Sequence, residues 1–151
     1  MEKELQELID QFLRILHLYS VITRKPKDYG TGDLLYFTEV HTIAMIGSKG
    51  EINVTNLAGL MGVTKGAISQ TIRKLTAKGL ILRKSTDNRK EVLLALTEKG
   101  LRVFKGQASF RKELFTFAGT LYRQAKPGDI DTVKRLFNAI VRNMQERINN
   151  L

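Results

Sequence analysis

The sequence predicts a mainly α (α+β) fold, and three observations carry that expectation. Segments at both ends, Glu2 to about Arg24 and Asp129 to Leu151, repeat apolar residues every three or four positions, as amphipathic helices do. Between them, Val54 to Lys78 divides into two short helical patterns separated at Gly62-Val63-Thr64. Directly afterwards, Leu80 to Leu82 and Val92 to Leu96 flank the polar run Ser85 to Lys90, which predicts a two-stranded ribbon with a charged tip. A chain of 151 residues is long enough for a real core, and all of it is expected to form one domain.

In chain order, the first helix places Leu5, Leu8, Ile9, Phe12, Ile15, Leu16, Tyr19 and Ile22 on one stripe. Acids lead it, cations close it, and Pro26 stops it. Lys27 to Phe37 contains Gly30 and Gly32 and reads as a connection with at most a short helical turn. Thr38 is the expected cap of the next helix, which turns Val40, Ile43, Ala44 and Ile46 inward before the SKGE turn. Glu51 to Val54 is expected to add a third strand beside the ribbon. A helix from about Thr55 to Met61 then directs Leu57, Ala58, Leu60 and Met61 to a core, and Gly62 suits an exit with positive φ.

Thr64 supplies a capping oxygen for the following helix, on which Ile68, Ile72 and Leu75 form one apolar stripe. Its opposite side carries Lys65, Gly66, Ser69, Gln70, Arg73 and Lys74. Helix, short turn and helix of that polarity is a helix-turn-helix, whose second helix enters a DNA major groove. Lys78-Gly79 closes it. After the ribbon, Thr97 caps a helix expected to continue to about Arg123, although Gly106 and Gly119 weaken its continuity. Lys126-Pro127-Gly128 breaks the chain, and Asp129 is the expected cap of a last helix carrying Ile130, Val133, Phe137, Ile140, Met144, Ile148 and Leu151 on one side.

The net charge of +10 is unevenly placed. Residues 62–105 hold eleven cations against three acids, whereas residues 1–61 hold six against eight. The excess therefore sits on the second helix, the ribbon and the segment after it, as a polyanionic partner requires. The absence of cysteine excludes disulfides and thiolate metal sites within the chain. No secretory signal or membrane span is visible, so the cytoplasm is the expected compartment. His17 and His41 are the only histidines, and no nucleophile has a neighbouring base. Gly59, Gly62 and Gly66 lack phosphate-loop spacing, so no enzyme, cofactor or metal is expected.

The run LAGLMGVTKGAISQTIRKLTAKGLILRK, then DNRK, then LTEKG at residues 96–100, resembles the MarR family of bacterial winged-helix regulators. FTEVHTIAMIG is similar to the helix that precedes the DNA-binding pair in that family. The resemblance implies a winged helix-turn-helix lobe over residues 38–100, with dimerisation helices at residues 1–37 and 101–151. It implies a homodimer presenting two reading helices to a pseudo-palindromic duplex, and a repressor released by a small-molecule effector. Lys65, Lys74, Arg83, Lys84 and Lys90 are then expected to neutralise phosphates, and Ser69, Gln70 and Arg73 to meet base edges. Thr64 either caps its helix or meets phosphate; Gly66 either admits the backbone or serves packing. Arg89 is expected in a minor groove, oriented by Asp87. The wing has Asn88 and Lys90 where more basic members carry arginines.

In the family, a small amphipathic or aromatic ligand sits in a crevice between the dimerisation helices and the winged lobe. Tyr19, Tyr36 and His41 are the candidates here, the alternative being that these rings fill the junction core. Some members sense zinc through clustered histidines and acids, a cluster this sequence lacks. The rival function is a winged-helix protein-interaction module without specific DNA binding.

Overall fold

Aliphatic side chains from four helices and a three-stranded sheet meet in one buried cluster. The computed structural model describes residues 2–85 and 92–150. The elements run α1 (Glu2–Thr23), β1 (Lys27–Asp28), β2 (Leu34–Leu35), α2 (Phe37–Lys49), β3 (Glu51–Asn53), α3 (Val54–Met61), α4 (Lys65–Ala77), β4 (Ile81–Ser85), β5 (Val92–Leu96), α5 (Glu98–Gly106), α6 (Ala108–Gln124) and α7 (Pro127–Asn149). Strand order is β3-β5-β4, antiparallel throughout, with Ile52 opposite Leu94 and Arg83 opposite Leu94. The expected third strand is therefore present, paired to β5.

Each expected inward residue of α2, Val40, Ile43, Ala44 and Ile46, is buried, as are Ile68, Ile72 and Leu75 of α4. Leu57 and Ala58 of α3 join them, but Leu60 is half exposed. Leu57, Ala58 and Met61 share one face of this two-turn helix, and Leu60 lies about 100° round from its centre. Ile81 is buried at the start of β4, whereas Arg83, Lys84 and Ser85 emerge from the core as the strand leaves it.

Four expectations are corrected. Residues 27–35 form a small hairpin, with Lys27 opposite Leu35 and Asp28 opposite Leu34. One Asp28 carboxylate oxygen accepts the N–H groups of Gly30, Thr31 and Gly32 at 2.9, 3.0 and 3.1 Å, while Gly30 and Gly32 take φ of 88° and 77°. These contacts stabilise the carboxylate and hold its pKa below the usual value, Thr31 contributing most. Strands of two residues are too short to show alternation in sequence; buried Leu35 anchors the hairpin instead.

The second correction concerns the start of α2: its cap is Tyr36, whose N–H is accepted by the Glu39 carboxylate at 2.9 Å, rather than Thr38. Third, the post-ribbon helix is interrupted at Gln107, while Gly119 lies within α6. A Cβ on Gly106 would stand 2.9 Å from the Tyr29 carbonyl oxygen, so the chain there presses backbone against backbone. Fourth, α7 is capped by Lys126 with Pro127 at its first position, and Asp129 accepts the Lys126 N–H at 2.9 Å from within the first turn.

The terminal helices differ from the lobe. Neither α1 nor α7 has a buried residue, and Ile15, Ile22, Phe115, Phe137 and Val141 stand open. Gln145 of α7 nevertheless reaches the lobe, donating to the Gly62 carbonyl at 3.0 Å. Among the described residues no helix is long and apolar enough to cross a membrane.

Candidate nucleic-acid interface

The start and the end of α4 are set by backbone chemistry that its sequence encodes. At the end of α3, Gly62 turns left-handed (φ 64°, ψ 32°), its N–H meets Gly59 O at 3.2 Å, and Val63 N–H meets Ala58 O at 3.1 Å. That paired closure satisfies carbonyls left over by the helix and needs a residue without a Cβ penalty. Thr64 is then extended, and its Oγ1 accepts the Ala67 N–H at 3.2 Å. At the far end Gly79 is left-handed (φ 67°), with Gly79 N–H on Thr76 O at 2.9 Å and Leu80 N–H on Leu75 O at 3.0 Å. Leu75 and Leu80, which this closure brings together, are both fully buried.

Because the stripe Ile68, Ile72 and Leu75 faces the core, the opposite side of α4 is displayed. Lys65, Gly66, Gln70, Arg73 and Lys74 are exposed, and Ser69 is half buried at the margin. A Cβ on Gly66 would meet only the Thr64 hydroxyl, at 3.9 Å, so internal packing does not demand glycine there. Thr64 does cap, whereas α3 is capped by Asn53, whose side chain accepts the Asn56 N–H at 2.8 Å. Thr55, where the helix was expected to begin, lies in the first turn with its side chain exposed, one residue after the observed start at Val54.

On the ribbon, Arg83 and Lys84 are exposed on β4. Lys84 Nζ reaches across β5 to Glu51 Oε1 at 2.6 Å, a pair too exposed to contribute much stability. Asp87, Asn88, Arg89 and Lys90, the expected wing tip, lie outside the described residues.

Sequence reasoning missed the residues that hold the end of α4. Thr97 Oγ1 donates to Gly79 O at 2.7 Å and accepts the Gly100 N–H at 3.0 Å, and its own N–H meets Leu80 O at 3.1 Å. A Cβ on Gly100 would collide with the Leu80 carbonyl. The LTEKG run thus clamps the turn after α4, beyond capping α5. Lys78 and Lys99 join it: Lys78 Nζ meets Glu39 Oε1 at 2.7 Å, and Lys99 Nζ meets Asp33 Oδ2 at 2.8 Å. The Lys99 contact holds the Asp33 carboxyl below the usual range. Only a fold that brings residues 33, 39, 78 and 99 together reveals this set.

The ring candidates come partly together. Tyr19 packs edge-on against Phe37, with centroids 5.1 Å apart, and partial burial raises its hydroxyl pKa. Tyr19 and Tyr36 share an open crevice between α1, α2 and α4 with Thr23, Phe37, Thr38, Glu39, Thr71 and Lys74. The His41 ring centroid stands 5.6 Å from that of Phe37, and His41 is not among the crevice walls. Among the described residues no group of three or more histidines or acids is arranged to hold a metal ion.

Residues 35–92 match the MarR family model. An uncharacterized HTH-type transcriptional regulator of Bacillus subtilis (strain 168), YhjH, is 35% identical over 77 residues, 50% of this chain and 44% of that protein. The chain thus covers less than half the length of that relative. The HTH-type transcriptional regulator PchR of the same organism is 30% identical over 109 residues, 66% of this chain and 64% of that protein. Among solved structures, Lactococcus lactis ZitR in complex with DNA superposes with a TM-score of 0.70 at 19% identity, covering 93% of this chain and 97% of that one. The segment that is similar to the MarR family runs from β2 to the start of β5 and contains the helix pair and the first strand of the ribbon just described, and the likeness in fold to ZitR extends through the terminal helices.

Proposed function

We propose that this chain is a homodimeric, sequence-specific DNA-binding regulator of transcription, acting as a repressor that a small-molecule ligand releases. One observation carries the reading: α4 buries Ile68, Ile72 and Leu75 and displays a continuous cationic and polar face, Lys65, Gln70, Arg73 and Lys74. A helix with that face, beside a ribbon bearing Arg83 and Lys84, fits a groove lined by phosphates. Lys65, Lys74, Arg83, Lys84 and Lys90 neutralise phosphates, and Ser69, Gln70 and Arg73 read base edges. Thr64 and Gly66 let the start of α4 approach the sugar-phosphate backbone. Arg89, oriented by Asp87, enters the neighbouring minor groove.

ZitR, solved with DNA, has the same fold, and YhjH and PchR carry the description of transcriptional regulators. MarR-family regulators are not enzymes, and no reaction is assigned to this chain. Residues 38–100 make up the winged lobe, which Leu35 and Val103 complete, while the rest of 1–37 and 101–151 supplies the dimer interface, for which the uncovered apolar faces of α1, α6 and α7 argue. A ligand in the crevice beside Tyr19 and Tyr36, with His41 next to Phe37, acts by binding DNA-competent and DNA-incompetent shapes unequally.

Selection of bound sequences from random duplexes tests the reading. The expected result is a pseudo-palindrome with half-sites about one helical turn apart and affinity that falls steeply with salt. Absence of duplex binding even at low salt would favour the protein-interaction module instead.

A further inference from the structure

Glu39 is charged, in the first turn of α2, and only 4% exposed. Both of its oxygens are used: one accepts the Tyr36 N–H at 2.9 Å, the other meets Lys78 Nζ at 2.7 Å. Lys78 is the residue that closes α4, and the same Nζ donates to Leu34 O at 3.1 Å. The main-chain oxygen of Lys78 in turn accepts Lys99 Nζ at 3.0 Å, and Lys99 is paired with Asp33. A chain of contacts, acid to lysine to lysine to acid, thus runs from the hairpin, across the end of α4, to the start of α2.

Such a pair is a poor way to gain stability. Removing two ions from water offsets most of their attraction, and apolar side chains of the same size often hold a fold as well or better. Charged hydrogen bonds add direction instead, since they are made well in one geometry only. The apolar stripe of α4 leaves some freedom to roll and slide along its axis, as non-directional contact does. A helix that reads base edges must be held within about 0.5 Å and 10–20° of its working pose.

Resting on the reading of α4 as the groove-entering helix, we propose that Glu39 and Lys78 are positioning residues for sequence readout. They act through α4, fixing its roll and axial place on the lobe from its C-terminal end. Glu39 also lines the crevice that holds Tyr19 and Tyr36, so the strut stands where an occupant of that crevice meets the reading helix.

The sign of one substitution separates this role from plain electrostatics. Glu39→Gln keeps the size of the side chain and an oxygen for the Tyr36 N–H but removes a negative charge from a DNA-binding lobe. On charge alone, it tightens selected and random duplexes alike and leaves their ratio unchanged. On the positioning role, the ratio of selected to random affinity falls about tenfold while the random duplex is bound at least as well, a drop of about 1.4 kcal/mol in discrimination.

The measurement is fluorescence anisotropy on the full chain with a selected duplex and a random one of equal length, accompanied by thermal melts. Lys78→Met, at a partly exposed side chain, is expected to lower the ratio similarly, and the double variant to lower it little further, because both remove one contact. Should Glu39→Gln melt below the assay temperature, Lys78→Met alone decides. An unchanged ratio in a folded variant overturns the proposal. A wild-type chain without sequence preference overturns the regulator reading itself, and the proposal with it.

Discussion

The lobe from α2 to α5 and the helices outside it use the same apolar residues and leave them in opposite states. Ile43, Ile46, Leu57, Ile72, Leu75, Leu94 and Val103 are fully buried, while Ile15 is 62% exposed, Phe137 58% and Phe115 80%. Both regions carry clear helical periodicity. The lobe covers its stripes because short helices and a sheet fold back on one another within 70 residues, whereas a 22- or 23-residue helix such as α1 or α7 presents more apolar surface than the lobe can reach. Periodicity therefore announces that a face is to be covered and says nothing of what covers it. Where α7 does touch the lobe, it does so at the turn between α3 and α4, through Gln145 and Gly62.

The contrast can be broken most decisively by cavity mutation. Ile72→Ala should cost about 2–5 kcal/mol, read as a denaturation midpoint that falls by the same amount at every protein concentration. Phe137→Glu attacks the other region and should weaken self-association about 100-fold, the loss of one hot-spot anchor of roughly 2 kcal/mol or more. Sedimentation would show it, and apparent stability should then depend on protein concentration. A wild-type chain that sediments as a monomer at micromolar concentration would abolish the distinction.

Arg73→Ala sharpens the division further, since it should leave both folding and association as they are and weaken the selected duplex by about 1–3 kcal/mol. Equal weakening on random duplexes would reassign Arg73 to phosphate.

The smallest effect concerns the hairpin. Asp28 and Asp33 have folded-state pKa values below the ordinary range, from backbone N–H groups and from Lys99 respectively. Their contribution is present above the unfolded carboxylate value and is lost as pH falls through the folded ones, that is, below about pH 4. Urea midpoints followed from pH 7 to pH 3 should fall less steeply in Asp28→Asn than in the wild type. Parallel curves would reject the assignment.

By itself the sequence determined the local order: which stretches are helical, where Gly62 and Gly79 turn the chain, that Thr64 and Thr97 cap, and which face of α4 carries Lys65, Gln70, Arg73 and Lys74. Those features depend on neighbours three or four residues apart, and periodicity records such neighbours directly. What joins distant residues required the fold. The hairpin at Asp28 consists of side-chain to backbone bonds that leave no alternation to read. Leu60 stands half exposed because it lies about 100° round α3 from the face that the lobe covers. The pairing of Glu39 with Lys78 and of Asp33 with Lys99 spans tens of residues, and it exists only because α2, α4, α5 and the hairpin converge. Only where these elements meet do charge and hydrogen-bond direction become a constraint on where the exposed helix points.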